Sequence, residues 1–497
     1  MVSARLTLLR RLFLLLPALL LGACENPPDH ILVFGITGSP ASLHPTLASD
    51  AVSERINALL YAPLVELDQQ GRPTPGQVRW QQEDAQHYRL ILNDAPAVFS
   101  DGSQPSIDDV AATLRSVLDD QASPHAATLA HIAELQLLDR SSLRVSLSKP
   151  DPRFVEKLHL GLAPAAALAD SRKLARKPVG NGPFAFVAWD AQDNLLLRRR
   201  RDGQLLRFEA VPDPTMRALK LLRGELQLLQ NDLPYELYPR LRDEPGIELH
   251  SAPGTTFSYL GFNLRDPHSG DLRVRQAIAH AVDRQAIVRY LFGGHASLSN
   301  TLLRPQHWAA NPALPVYQHD PQRARELLAA LGYGPDRPLQ LSYKTSTDPF
   351  RLRVAAALQA QLAQVGIRLQ IQSYEWGTFF GDIKAGRFQL YSLSWVGIRS
   401  PDIFRYVFHS DSQPPHGANR GRYQSVEVDR LIEQAESLPP EQAQALFRQV
   451  QDRIHRDLVY VPLWHEQNLL LSRGISGAQP QVDGGYGFLD KVSLADE

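Results

Sequence analysis

Between residues 259 and 294 the apolar positions change period, and the change marks a strand followed by two helices. Tyr259 to Phe262 form one apolar run, short enough for a buried strand. Past the turn at Asp266-Pro267, Val274, Ala277, Ile278, Ala281 and Val282 recur at helical spacing, with Asp271 placed to cap the segment. Asp283 is placed to cap a second helix, whose Ile287, Tyr290 and Leu291 extend the apolar face until Gly293-Gly294 stops it.

The same patterning orders the rest of the chain. Residues 31–36 read as a strand entering the loop Thr37-Gly38-Ser39-Pro40, and 88–92 alternate as another. Ser106-Ile107-Asp108-Asp109 is a capping box before a helix whose Val110, Leu114, Val117 and Leu118 share a face. In Pro178-Val179-Gly180-Asn181-Gly182-Pro183-Phe184 the glycines read as tight-turn residues, because a phosphate loop needs a third glycine and a following helix, and 184–189 reads as strand. Arg198 to Arg201 reads as a solvated strand end. Asp320-Pro321 opens a helix that Gly332 ends. A strand at 339–343, a helix at 351–365 and a strand at 367–371 make a right-handed βαβ unit. Residues 387–391 form a strand that delivers Trp395, and 441–458 form a helix before a returning strand at 459–463.

At 497 residues the chain exceeds one ordinary core, so two or three domains are expected. Formal charge is −1, and −4 once Arg5, Arg10 and Arg11 leave with a cleaved leader. Neither value fits a nucleic-acid partner, which calls for a basic face. Those arginines precede an apolar stretch at 12–21 and then Leu21-Gly22-Ala23-Cys24, the layout of a secretory signal. The stretch is about half of the ~20 residues that a membrane-spanning helix needs. Cys24 is the single cysteine, so no intrachain disulfide is available and a thiol nucleophile elsewhere is excluded. Hydrolase signatures are missing too: there is no GxSxG elbow, and His465-Glu466 continues as Gln467-Asn468 without a second histidine. The sixteen histidines are scattered rather than spaced as ligand pairs, so neither a metal nor another cofactor is expected.

Several of these stretches are more specific than their periodicity. Asn263, the run Arg273-Val274-Arg275-Gln276-Ala277, and Ala281-x-Asp283-Arg284 resemble the central signature of the family 5 solute-binding proteins, extracytoplasmic receptors of peptide and nickel ABC importers. Ser42-Leu43-His44-Pro45 resembles that family's S-L-x-P segment, with His44 where an aspartate is usual. Leu21-Gly22-Ala23-Cys24 resembles a bacterial lipobox, whose cysteine becomes the lipid-modified N-terminus. The resemblance implies an α/β, bilobal periplasmic-binding-protein-like fold (type II, class C) with an additional inserted domain. It divides the chain into a signal peptide at 1–23, a discontinuous lobe I at 30–45, 173–257 and 473–497, an inserted domain at 46–172, and lobe II at 258–472.

It also implies a site with no catalytic residue. Trp395-Val396-Gly397-Ile398-Arg399-Ser400-Pro401-Asp402-Ile403-Phe404 resembles the W-x-x-D-x-x-D-P-D-x-F loop of the family's peptide binders, where an early aspartate pairs with the ligand's α-amino group. Trp395, Pro401, Asp402 and Phe404 align if one residue is deleted, which leaves Ile398 or Arg399 in the aspartate's place. Three readings stay open: a ligand without a free amine, an amine held by Asp402, or an anionic end read by Arg399. Asn419 and Tyr423 fall in a G-x-N-x-x-x-Y motif that floors the cleft or fixes its loop. Phe257, Tyr259 and Trp376 are candidate apolar walls beside Trp395, and Ser39 a candidate contact from lobe I. The implied protein is a monomeric, lipid-anchored periplasmic receptor that hands a peptide or peptide-like solute to an ABC permease and ATPase. A nickel- or haem-complex receptor of the same family is the alternative, as is a lipoprotein that senses cell-wall fragments without a transporter.

Overall fold

The computed structural model describes residues 31–68, 70–120, 123–398 and 400–494. The leader with Cys24 and the loop residue Arg399 lie outside the described residues. Two long antiparallel strands, Ile247–Phe262 and Tyr460–Arg473, pair along most of their length. Apart from Ala296–Leu298, which pairs with residues 464–466 near the middle, every other strand of the main sheet is built onto one end or the other of this pair. Leu390–Trp395 pairs with 257–262 at one end, and Leu339–Ser346 and Ile367–Tyr374 follow outward. Leu228–Gln230 pairs with residues 470–472 at the other end, followed by Leu32–Ile36, Leu205–Ala210, Leu195–Arg199 and Phe184–Trp189. One sheet thus serves two lobes.

Between them the pairing slips. The register shifts between Pro253 and Phe257, opposite Gln467 and His465. Gly254 is required here, because a Cβ on it would lie 2.3 Å from the Glu466 carbonyl oxygen.

Each lobe closes its own cores. On one face of the second lobe's sheet, Leu260 and Phe262 pack with helices Leu272–Ala281 and Pro349–Ala363. On the other, Phe257, Tyr259 and Tyr391 pack with Trp376–Ala385, Val426–Glu436 and Pro440–Arg456. A separate four-stranded antiparallel sheet, Val78–Gln82, His87–Leu92, Ser142–Leu147 and Ile132–Leu137, packs on helix Ile107–Leu118 around an independent core.

The local signals act as their chemistry dictates. Asp271 and Asp283 accept from the backbone N–H groups of Arg273 and Ala286, and Ser106 with Asp109 forms a reciprocal capping box. Leu339–Ser346 and Ile367–Tyr374 run parallel with helix Pro349–Ala363 between them.

Four readings need correction. The strands read at 259–262 and 459–463 are only one end of the long pair; the first strand continues outward through exposed and half-buried positions, and the second stays buried or half-buried to Arg473. The strand expected at 387–391 runs Leu390–Trp395, and Arg387 instead holds Asp382. Gly180 and Gly182 serve close approach rather than turn dihedrals, since a Cβ on either would strike the Leu60 or Leu59 carbonyl at 2.1 and 2.3 Å. Arg199 is not solvated: it is buried, paired with Asp202, and donates Nη1 to the carbonyls of Leu489 and Val492.

Arg284 shows how the second lobe ties its loops. It is buried, burial lowers its pKa to about 10, and it donates to the carbonyls of Ser299, Pro462 and Tyr317 at 3.1, 2.7 and 2.8 Å. Arg284→Leu leaves three buried acceptors without a donor. It should cost about 3 kcal/mol, read as a lower urea midpoint at unchanged slope.

Candidate functional site

Strand direction locates the site. Residues 36, 230, 346 and 395 are the carboxyl ends of their strands, and the registers run all four toward the slipped segment of the crossing pair, two from each lobe. In open α/β sheets the space beyond such ends is where ligands bind.

From the second lobe, Trp395 ends its strand half-buried, with its ring stacked on Tyr259 at 6.3 Å and edge-on to Tyr406 at 6.1 Å. Its Nε1 is buried without a partner. On the opposite face of the same strands Ser394 and Ser258 share a 2.7 Å hydrogen bond. Ser258 also donates to Glu466 Oε1 at 3.2 Å, and Arg351 lies 3.7 Å from that carboxylate. Burial pushes the Glu466 pKa up while Arg351 and Ser258 pull it down.

From the first lobe come Asn231 and Asp232, with φ of 54° and 58°, a left-handed conformation that non-glycine residues rarely adopt. Asn231 is pinned by accepting from Leu469 N at 2.8 Å, and the Asp232 carbonyl is held by Arg217. The Asp232 carboxyl is raised by burial, against the pull of Arg55 and Arg217. Beside the slipped segment lies a solvent-open cavity of about 210 Å³, whose walls include Gly254, Arg304, Asn311 and His465. Burial lowers the His465 pKa to about 4, so its ring is neutral at pH 7.

Ion pairs bridge the parts around this space. Glu236 of the first lobe meets Arg353 of the second at 3.5 Å, and Tyr235 packs on Phe292 and Phe350 at 4.9 and 5.3 Å. From beside the four-stranded sheet, Arg153 donates to the Asp402 carboxylate.

The sequence of residues 43–415, well over half of the chain, matches the model of the bacterial extracellular solute-binding proteins, family 5. The chain belongs to this family. The probable di/tripeptide-binding protein 5 of Pseudomonas aeruginosa is 28% identical over 437 residues, 80% of this chain and 82% of that protein. Heme-binding protein A of Haemophilus influenzae is 28% identical over 382 residues, 71% of this chain and 67% of that protein. Among solved structures, the substrate-binding protein CtaP of Listeria monocytogenes superposes with a TM-score of 0.84 at 21% identity, over 94% of this chain and all of that one. The periplasmic binding protein DppA of Helicobacter pylori, in complex with the peptide STSA, gives 0.73 at 24%, over 94% of this chain and 98% of that one. The architecture is the bilobal periplasmic-binding-protein fold. No helix among the described residues is long and apolar enough to cross a membrane.

In this family 5 protein the residues singled out from sequence fall into distinct places. Trp395, Tyr259 and Phe257 form one stack, with Phe257 and Tyr259 fully buried beneath Trp395. Asn419 and Tyr423 lock a loop: Asn419 bonds the Tyr423 backbone at both its N–H and its carbonyl, and the Tyr423 hydroxyl donates to Asp457. Trp376 is exposed at the start of its helix, stacked on Phe380 at 5.4 Å. Ser39 donates to the Asp193 carbonyl at 3.0 Å. Asp402 is engaged by Arg153.

Residues the sequence reading passed over are Arg351, Asp232, Glu466 and Arg420. Glu466 carried a signal, being an acid inside an apolar strand; Arg420 sat unremarked within the G-x-N-x-x-x-Y motif.

The Arg153–Asp402 bridge has a titrating neighbour. Burial pushes the Glu156 pKa from 4.5 to about 8, with Arg153 and Lys157 opposing and Asp402 and Asp151 reinforcing the rise. The folded protein therefore holds a proton there that the unfolded chain releases, and the stability it contributes falls as pH rises from roughly 5 to 8. In Glu156→Gln this loss should disappear, so the variant's melting temperature should gain on the parent's steadily across that range.

Proposed function

We propose that this chain is the solute receptor of an ABC importer, capturing a short peptide or peptide-like solute between its lobes and passing it unaltered to a permease. The observation that carries the reading is the convergence of four strand carboxyl ends, from both lobes, on one slipped segment of the crossing strands. Free backbone beyond Ile36 and Trp395 suits an extended chain, which could pair with it as an added strand while side chains occupy roomier space. Peptide-binding relatives support the choice of solute. The working division is lobe I at 30–45, 173–257 and 473–497, an inserted domain at 46–172, and lobe II at 258–472. Cleavage before Cys24 and acylation of that cysteine would tether the receptor to the outer face of a membrane.

Closure would be a shift between open and closed states, with the solute contributing the contacts that favour the closed one. Trp395 is the side chain to test, since it lies half-buried at the strand end over an aromatic stack. Trp395→Ala should weaken peptide binding about tenfold or more, by titration calorimetry, while the melting temperature moves by only a few degrees. Native mass spectrometry of receptor purified from its host should show a retained small solute. Unchanged affinity in the variant removes Trp395 from the site, and turnover of the retained solute overturns the receptor reading.

A further inference from the structure

Six arginines are buried among the described residues: Arg153, Arg199, Arg217, Arg275, Arg284 and Arg420. Five of them have strong acceptors. Arg153 and Arg199 have carboxylates, while Arg217, Arg275 and Arg284 each spread their donors over at least three backbone carbonyls. Arg420 differs. It makes one side-chain hydrogen bond, from Nη1 to the hydroxyl of Tyr259 at 3.2 Å, and no carboxylate lies within ion-pair distance among the described residues.

Its surroundings fix the guanidinium without neutralising it. The group lies 4.7 Å from the centre of the Trp395 ring and 5.2 Å from that of Phe380. The nearby tyrosines, Tyr391 and Tyr460, keep their protons because burial drives their pKa values well above 10. Neither Nε nor Nη2 of Arg420 bonds to a described residue, and neither is among the buried polar atoms lacking a partner, so both keep some exposure beside Trp395. A buried cation held in plane, with one edge of its fork free, is complementary to an oxyanion.

We propose that Arg420 is the anion anchor of the cleft, receiving a carboxylate or phosphate oxygen of the bound solute while Trp395 and Phe380 hold its plane. This rests on the receptor reading above and adds the chemistry of the solute's end. It also agrees with the loop: Ile398 offers no charge, and Asp402 already answers Arg153.

The test uses three probes: a tripeptide mixture as free acids, the same mixture amidated at the C-terminus, and succinate as a non-peptide anion. Each is titrated into the full receptor and into Arg420→Gln, following tryptophan fluorescence. The expected result is at least tenfold preference for acids over amides in the parent, and its loss in the variant. If no peptide binds but succinate does, at least tenfold less tightly in the variant, the anchor stands and the peptide reading falls. The anchor is overturned if the parent binds peptides without distinguishing acid from amide, if the variant keeps the distinction, or if no probe separates the two proteins. Should Arg420→Gln fail to fold, Arg420→Lys keeps the charge and loses the planar fork. The acid-to-amide ratio should then fall at least threefold, and an unchanged ratio overturns the anchor.

Discussion

The whole molecule depends on one hydrogen-bonded pair of strands. Ile247–Phe262 and Tyr460–Arg473 are long enough for each end to belong to a different lobe, so a single sheet can have two sets of cores. The pairing slips twice: once between Ser258 and Tyr259, where the second lobe grips it, and once between Pro253 and Phe257, between the lobes. There Gly254 allows the strand backbones to approach more closely than any side chain would permit. Because the flanking strands point their carboxyl ends at this segment from both sides, the slipped step of the crossing pair lies at the space where such sheets bind ligands.

The space so formed is rich in charge that the protein answers unevenly. Glu466 has Arg351 and a serine, Asp402 has Arg153, and Glu236 has Arg353. Arg420 has aromatic faces and a phenol. The other five buried arginines each have a carboxylate or at least three carbonyls, which makes this exception informative, since buried charges are costly unless paired and hydrogen-bonded.

Much of the fold was legible in the sequence because its signals are local. Helical spacing at Val274, Ala277 and Ile278, with Asp271 in front, defines a helix whatever surrounds it. The capping box at Ser106 and the strand–helix–strand unit from 339 onward are of the same kind. What escaped was long-range. Nothing near Arg153 announces Asp402, which is 249 positions away. The outer half of Ile247–Phe262 interleaves exposed residues with half-buried ones, so no apolar run betrays it. Of the candidate site, Trp395 could be placed through the loop it shares with the family, whereas Arg420 could not, because its meaning lies in the absence of an acid that only packing reveals.

The doubled crossing has a mechanical corollary. Two strands bonded edge to edge form a ribbon that resists bending in its own plane, where interstrand bonds would have to stretch. It yields far more readily across its flat face, and most readily at the slipped step. A pair of lobes joined this way would have one compliant direction, so any opening would follow a fixed arc and return the same two surfaces into register.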